Sequence, residues 1–219
     1  MSRTFRAYLQ HDFDVASAAI AKAAAQAAMT GAASSQAADL EVPVEMLAAG
    51  KAPRQFFAPR TLNDTIRIQP LLTPDNYPGH VKTLIESAQT SFYMQTQYIH
   101  PSDKPGDEAH EALIIAVKAL ADRGLDVRLI TSQFQDGGWV DKLASAGIHP
   151  SVLRRQTGVH NKGIIVDGKV VMVSSQNWSA DGTLRNRDAG LIIYSAEAAA
   201  YVQQIFLHDW NNLASPVTS

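Results

Sequence analysis

One stretch in the C-terminal third of the chain concentrates residue types used in phosphate chemistry. His160 and Lys162 stand two residues apart, Asp167 follows five residues later, and Ser175 and Asn177 are again two apart. An imidazole can act as a nucleophile or general base, a lysine supplies a positive charge, and hydroxyl and amide groups form hydrogen bonds. This combination suits an anionic, tetrahedral target such as a phosphoryl group, stabilised without a metal ion.

Each of these residues also has an ordinary structural explanation. A lone histidine in a strand is more often structural than catalytic, and Lys162 can be a solvated strand residue. Asp167 precedes Gly168, and this pair is favoured in a two-residue turn whatever its chemistry. Ser175 and Asn177 can be loop residues. The case for a site rests on the joint spacing, not on any single member.

A β-hairpin is predicted to position this set. Two β-branched runs flank Asp167 and Gly168, which is typical of a two-residue hairpin turn. Side chains two apart in a strand share a face, so His160 and Lys162 are expected to point the same way. Ser175 and Asn177 follow where the second hairpin strand is expected to end.

Strand and helix patterns alternate through the rest of the chain from about residue 61. We predict strands over 67–72, 91–99, 127–131, 152–154 and 190–194, and helices over 77–88, 110–123, 138–146 and 196–213. The alternation predicts an α/β domain with a mixed, partly parallel sheet flanked by helices on both faces.

The stretch from His160 to Asn177 closely resembles the His-Lys-Asp signature of the phospholipase D superfamily, H-x-K-x4-D-x6-G-S-x-N. The positions that fit are His160, Lys162, Asp167, Ser175 and Asn177. The resemblance covers roughly residues 66 to 213, including the segment ADRGLDVRLIT.

Two positions depart from the family pattern. Ser174 stands where the family has glycine, and serine is the next smallest choice for a close backbone approach. The family carries an acidic residue, usually glutamate, in the following strand, and here Asp188 takes that place with a side chain one methylene shorter. The resemblance implies that Asp167 or Asp188 orients and stabilises a histidine.

The resemblance implies phosphodiester cleavage or transfer through a phosphohistidine, with no metal ion and no cofactor. His160 would attack phosphorus, and Lys162 and Asn177 would hold the non-bridging oxygens. Ser175 would add a hydrogen bond. Water or another alcohol would then take the phosphoryl group from the histidine.

This chemistry needs two histidines, because one attacks while the other protonates the leaving oxygen. The family supplies two signatures, either in tandem on one chain or from two identical chains. Only one complete signature is found in this sequence. A second His-Lys-Asp half is therefore expected, from a homodimer mate or from a further N-terminal domain.

The first sixty residues differ from the rest. Residues 19–60 are rich in alanine and proline and are predicted to form a linker before a catalytic domain at residues 61–219. Residues 1–18 resemble the final helix at an offset of 197, with a shared triple of His208, Asp209 and Trp210 against His11, Asp12 and Phe13. Residues 1–18 are thus predicted to be the tail of a preceding copy, and the alternative is a single-signature protein with an amphipathic N-terminal helix, active as a homodimer.

The composition limits the classes of partner and site that this chain can have. A net charge of −2 gives no support for tight binding to a nucleic-acid backbone, and the absence of cysteine excludes disulfides, thiolate metal sites and a cysteine nucleophile. No apolar run reaches the roughly 18 residues of a membrane span. The segment before the alanine-rich run is unlike a signal peptide, and cytoplasm and periplasm both remain open.

The leading prediction for the substrate is a phospholipid phosphodiester, reached by peripheral contact with a membrane. The loop at residues 101–111 is a candidate substrate-selecting rim or a solvated connector. A nuclease is the first alternative, with a basic patch made by Arg154, Arg155, Lys162, Arg185 and Arg187. The second alternative is a non-catalytic phosphate-binding or dimerisation half-domain.

Overall fold

The computed structural model describes residues 57–63 and 65–217. The predicted N-terminal tail of a preceding copy and nearly all of the predicted linker lie outside these residues. The elements of the described part are, in chain order, β1 (Arg67–Leu72), α1 (Tyr77–Glu86), β2 (Ser91–Gln95), α2 (Glu108–Asp122), β3 (Asp126–Thr131), α3 (Gly137–Ser145), β4 (Leu153–Arg155), β5 (Lys162–Val166), β6 (Val170–Ser174), α4 (Ala180–Leu184), β7 (Ala189–Tyr194), α5 (Ala196–Asn212) and β8 (Ser215–Pro216).

All of these strands belong to one sheet, in the order β1-β7-β6-β5-β2-β3-β4-β8. The pairs β2–β3 and β3–β4 are parallel, and the other neighbouring pairs are antiparallel. The prediction of a mixed, partly parallel sheet is therefore confirmed.

Helices cover both faces of this sheet, as predicted. Helices α1, α2 and α3 bury their apolar sides on one face, and α5 covers the other with Phe206 and Trp210. The alternation along β5 explains the division, because Ile164 faces the first core and Ile165 faces α5. Among the described residues, no helix is both long enough and apolar enough to span a bilayer.

The hairpin turn forms where the sequence predicts it. Asp167 and Gly168 have positive φ angles of 52° and 63°, and the Lys169 N–H donates to the Val166 carbonyl oxygen at 2.9 Å. Two consecutive left-handed residues are what a type I′ turn requires, and they explain why aspartate and glycine occupy it.

The predicted strand over 91–99 is too long. Strand β2 ends at Gln95, which pairs with Gly163 near the start of β5, and beyond it Ile99 makes only an isolated parallel bridge to Trp178. The aromatic residues of this segment favour a strand, yet β5 offers no further partner for it. The segment after Gln95 instead bonds to the end of β3, through Thr96 N–H to the Ile130 carbonyl oxygen and Ser132 N–H to the Gln97 carbonyl oxygen, both at 3.0 Å.

Candidate active site

Four of the five signature residues, His160, Lys162, Ser175 and Asn177, lie near the end of the sheet where β5 begins and β6 ends. Lys162, the first residue of β5, pairs in register with Ser174, the last residue of β6. His160 lies two residues before β5 rather than inside the strand, which corrects the expectation that both residues stand in one strand. Asn177 follows three residues after Ser174. The antiparallel hairpin thus brings both ends of the signature to one edge.

His160 and Lys162 form a close pair of contrasting exposure. His160 is exposed, whereas Lys162 is only 8% exposed. The Lys162 Nζ lies 3.4 Å from His160 Nδ1 and donates to the His160 carbonyl oxygen at 2.6 Å. The lysine charge is therefore held beside the imidazole, as the spacing predicts.

Burial lowers the pKa of Lys162, and the nearby Asp188 carboxylate opposes that shift. A partly desolvated ammonium group attracts an anion more strongly than a solvated one, because less water screens it. This arrangement favours a phosphate group next to His160.

The contact with Lys162 bears on the tautomer of His160. Lysine is only a donor, so a hydrogen bond to Nδ1 uses the lone pair there and leaves the ring proton on Nε2. Attack by Nε2 needs the opposite tautomer, with Nδ1–H donating to an acceptor. A carboxylate or carbonyl partner at Nδ1 is therefore part of any mechanism that uses Nε2.

Asn177 is fixed by a glycine in the short helix α4. A Cβ atom on Gly182 would overlap the Asn177 carbonyl oxygen and lie 3.2 Å from its backbone nitrogen. The Ser179 N–H donates to the Asn177 carbonyl oxygen at 3.0 Å. The side-chain Oδ1 of Asn177 is buried without a hydrogen-bond partner in the described part of the chain. The backbone of Asn177 is thus tightly held.

Ser175 and Asp188 form the second pair of the cluster. The Ser175 Oγ donates to Asp188 Oδ1 at 2.7 Å, and the Ala189 N–H donates to that Oγ at 3.1 Å. Asp188 immediately precedes β7, one residue before the strand in which the sequence placed it. The shorter aspartate is therefore held by Ser175 and lies close enough to Lys162 to affect its pKa.

The serine at position 174 is accommodated by a glycine opposite it. Ser174 pairs in register with Gly190, and a Cβ atom on Gly190 would lie 2.5 Å from the Ser174 Cβ and 2.9 Å from the Val173 carbonyl oxygen. The close backbone approach expected at position 174 is thus preserved by Gly190. The sequence did not reveal this compensation, because it depends on the strand register.

Asp167 does not join the cluster. It lies at the opposite end of β5 from Lys162, about 17 Å away at the usual rise of about 3.3 Å per residue. Its carboxylate accepts hydrogen bonds of 2.8–3.2 Å from the N–H groups of Gln89, Thr90 and Ser91, and one of 2.9 Å from the Thr90 hydroxyl. Asp167 is therefore held away from the His160 of its own chain, and of the two aspartates expected to orient a histidine, Asp188 is the one that lies near Lys162.

Three arginines of the predicted basic patch have partners within the fold. Arg185 pairs with Asp107 and Asp181, and Arg187 lies 3.9 Å from Asp75. Arg154 stacks on the Trp210 ring at 4.4 Å. Arg155 of the same predicted patch is exposed.

The loop over 101–111 lines a separate cavity. This cavity of about 480 Å³ is bordered by residues that include Ser102, Lys104, Trp139 and Arg185, and its lining contains none of the signature residues. The loop folds back on itself through Ser102, whose N–H donates to Glu111 Oε1 at 2.6 Å.

The spacing H-x-K occurs a second time, at His80 and Lys82, but the structure separates it from the site. Both residues lie in α1, where side chains two apart diverge by about 200°. Ser87 stands where the signature has aspartate. This pair is therefore not a second half-site.

Several solved structures share this fold, and one of them is described as a phospholipase D family member. Nuc of Salmonella typhimurium, described as a family member, matches 71% of this chain and 100% of its own, with a TM-score of 0.55 and 22% identity. NucT from Helicobacter pylori matches 69% of this chain and 99% of its own, with a TM-score of 0.52 and 15% identity. A phosphatidylserine synthase from Haemophilus influenzae Rd KW20 covers 69% of this chain and 39% of its own, with a TM-score of 0.55 and 17% identity. These matches define the fold class.

The sequence comparison narrows this class to a family. The family described as "Cardiolipin synthase, PLD-like domain" matches residues 81–210, which is more than half of the chain. The chain therefore belongs to the phospholipase D superfamily through this PLD-like domain.

The curated relatives are similar to this chain over only part of each sequence. A mitochondrial cardiolipin hydrolase from Xenopus tropicalis is 33% identical over 102 residues, which cover 45% of this chain and 49% of the relative. One from Mus musculus is 33% identical over 101 residues, covering 45% and 44%. The chain spans about half the length of the curated relatives it matches.

Proposed function

We propose that this chain provides one half of a phosphodiesterase or phosphatidyl transferase that works through a phosphohistidine on His160. The observation that carries the proposal is the buried ammonium group of Lys162, held 3.4 Å from the Nδ1 atom of the exposed His160. This pair places a nucleophile beside a fixed cation at the beginning of β5. Asn177 and Ser175 are proposed to complete the phosphate contacts.

The proposed reaction has two steps. A His160 ring nitrogen forms a bond to phosphorus while the phosphorus–oxygen bond to the leaving group breaks, and a second histidine gives that oxygen its proton. Water or an alcohol then loses a proton to the second histidine and attacks phosphorus, which breaks the phosphorus–nitrogen bond. Lys162 and Asn177 stabilise the negative charge on the non-bridging oxygens in both steps.

The second histidine must come from another His-Lys-Asp half, supplied by a second copy of the chain or by a further domain. Asp188 is the carboxylate proposed to orient a histidine in the assembled site, since Asp167 is occupied elsewhere. Its Oδ1 is already held by Ser175, so its position is well defined.

A phospholipid phosphodiester is the proposed substrate, reached by peripheral contact with a membrane. The support is that the matched curated relatives are named cardiolipin hydrolases, and that two arginines of the predicted nucleic-acid patch, Arg185 and Arg187, form ion pairs within the fold. The nuclease remains the first alternative, and a non-catalytic phosphate-binding or dimerisation half-domain is the second.

A substrate panel tests this proposal. The purified chain and its His160→Ala variant are incubated with cardiolipin-containing vesicles, single-stranded DNA and bis(p-nitrophenyl) phosphate, each with and without EDTA. We expect vesicle and chromogenic turnover that EDTA leaves unchanged and that His160→Ala abolishes. DNA cleavage alone supports the nuclease, absence of turnover supports the binding module, and loss in EDTA contradicts the metal-free mechanism.

A further inference from the structure

A chain of amide and carboxylate groups links the segment between His160 and Lys162 to helix α5. The Asn161 Nδ2 donates to Gln95 Oε1 at 2.9 Å, and the Gln95 Nε2 donates to Asp209 Oδ2 at 2.9 Å. Asp209 Oδ2 also accepts from the Gln156 Nε2 at 3.3 Å. We infer that Asp209, acting through Gln95 and Asn161, is a positioning residue that sets the placement of His160 and Lys162.

The alternation of side chains explains why holding Asn161 would fix its two neighbours. Gln95 pairs in register with Gly163, and Asn161 lies two residues before Gly163 on the same side as Gln95. Lys162 alternates with Gly163 in β5 and faces the opposite side, and the His160 Nδ1 lies 3.4 Å from the Lys162 Nζ. An anchor on the middle residue therefore fixes the backbone from which both flanking side chains extend.

His160 depends on such an anchor because its ring is poorly supported. The ring is exposed, and within the described residues its hydrogen-bond contact is to the Lys162 Nζ at a long 3.4 Å. Asn161 and His160 also precede the first ladder residue of β5, so strand pairing does not hold them. The amide of Asn161 supplies the missing restraint.

The carboxylate at position 209 determines the direction of the whole chain of hydrogen bonds. An ionised carboxylate only accepts, so it requires the NH₂ group of Gln95 and leaves the Gln95 carbonyl oxygen to face Asn161. Gln95 is only 6% exposed, and a buried amide without partners is strongly disfavoured. A reversed Gln95 amide would present NH₂ to the NH₂ of Asn161, so the observed hydrogen bond would be lost unless the Asn161 amide also turned over.

Helix α5 gives the network a firm base. Along helix α5, Asp209 stands between Phe206 and Trp210 in the sequence. These two side chains are 2% and 8% exposed and belong to the core between α5 and the sheet. The sequence singled out the triple of His208, Asp209 and Trp210 as a sign of an internal repeat. In the structure, the carboxylate of Asp209 is connected to the signature segment by the hydrogen bonds through Gln95 and Asn161.

This inference rests on the proposed role of His160, and an exchange of groups within the network tests it. Gln95→Glu places a carboxylate against Asp209 and should lower kcat for bis(p-nitrophenyl) phosphate at least about tenfold, since small displacements of reacting groups cost that much or more. Adding Asp209→Asn should restore kcat to within about threefold, because the carboxylate introduced at position 95 can then accept both from Asn161 and from the amide introduced at position 209. Native kcat in Gln95→Glu, or no recovery in the double variant, overturns the inference.

Two single variants separate positioning from stability. Asn161→Ala should lower kcat about tenfold with KM within about threefold, a split between the two constants that a general loss of stability would not produce. Asp209→Ala should lower kcat similarly, and Asp141→Ala, an exposed aspartate in α3, is its control. Equal kcat in Asp209→Ala and the control contradicts the inference, and the double variant covers the case in which Asp209→Ala does not fold.

A spectroscopic readout distinguishes failure of the inference from failure of the proposed function. If the native chain shows no turnover, or His160→Ala retains it, the proposed function fails. The ring ¹⁵N and ¹³C–¹H resonances of His160, assigned by loss in His160→Ala, still report its placement. They should shift or broaden in Gln95→Glu and return in Gln95→Glu/Asp209→Asn, whereas identical resonances in all three proteins contradict the inference.

Discussion

His160 and Lys162 stand two residues apart but occupy different environments. The imidazole is open to solvent, while the ammonium group is buried and its pKa is lowered by that burial. The sequence predicted their common side, because the H-x-K spacing and the strand period agree. It did not predict the contrast in exposure. Lys162 is the first residue of β5 and is covered by the sheet, whereas His160 lies before the strand.

The lowered pKa of Lys162 predicts an alkaline loss of activity. Turnover of bis(p-nitrophenyl) phosphate requires no protonation of the leaving group, so the leaving-group histidine does not mask the lysine. We expect kcat/KM to fall with rising pH through a pKa below the ordinary lysine value of 10.5, because the neutral amine no longer stabilises phosphate charge. The measurement is a kcat/KM profile from neutral pH upward.

Lys162→Arg is the control for this profile, since arginine stays charged across the whole range. Any activity left in that variant should lack the alkaline limb. A native profile that stays flat beyond the ordinary lysine pKa would contradict a role for the Lys162 charge.

Asp167 shows how a residue can match a signature and serve the fold. Burial raises its pKa, but hydrogen bonds from the N–H groups of Ser91, Thr90 and Gln89 and from the Thr90 hydroxyl outweigh that effect, and the net pKa is lowered. Its chemistry therefore stabilises the hairpin end of β5. Sequence reasoning gave both possibilities, and only the position along the strand separates them.

Asp167→Asn is expected to lower stability without removing catalysis. Asparagine tolerates the left-handed backbone at this turn, so the change isolates the carboxylate. We expect the free energy of unfolding to drop by about 1–2 kcal/mol near neutral pH, with kcat little changed. Denaturant unfolding and steady-state kinetics measure the two effects.

The pH dependence gives the sign of this contribution. A lowered folded-state pKa stabilises the protein above the ordinary carboxyl pKa of about 3.9, and that stability is lost as pH falls through the folded value. The native chain and Asp167→Asn should therefore converge in stability under acid. A large loss of kcat in a variant of native stability would instead place Asp167 in the catalytic machinery.

At the scale of elements, most of the fold could be predicted from the sequence. The hydrophobic period located β1 at residues 67–72 and placed α5 within one residue of its observed end, and the turn pair Asp167-Gly168 located the hairpin. The end of β2 and the contacts of α4 could not be predicted. Both depend on which strands are neighbours, and a local period does not contain that information.

The close packing of helix α4 against the backbone of Asn177 depends on Gly182. Gly182→Ala would force α4 away from the Asn177 backbone, since the new Cβ overlaps its carbonyl oxygen. We expect a fall in kcat of about tenfold or more and a loss of about 1–3 kcal/mol in the free energy of unfolding.

Gly79→Ala in α1 is the matched control, because a Cβ atom there meets nothing within 4 Å. That change should leave kcat unaltered and stabilise the helix by about 0.5–1 kcal/mol. Kinetics and thermal melts of both variants provide the comparison. Equal kcat in the two variants would show that Asn177 does not need this packing.

At the scale of the whole molecule, one signature supplies one histidine. The single signature predicted an incomplete site. In the described residues His160 is exposed just before β5, and the H-x-K pair of α1 is not a second half-site. The identity of the second half could not be predicted, because one sequence does not show which surface meets a partner.

Mixing experiments test whether two copies share the site. Native and His160→Ala chains are combined in varying ratios after dissociation and reassociation. If each copy supplies one histidine, turnover follows the square of the native fraction, so an equal mixture retains about one quarter of native activity. A linear dependence would show that each chain works independently of a second His160.

The covalent intermediate on His160 offers the most direct test of the proposed chemistry. The chain is mixed with a phosphodiester labelled on phosphorus, quenched in alkali, which preserves phosphohistidine, and analysed by peptide mass spectrometry. We expect a phosphoryl adduct on the peptide that carries His160, which forms at a rate no slower than turnover and is absent in His160→Ala. An adduct on another residue, or full turnover in His160→Ala, would contradict the phosphohistidine mechanism.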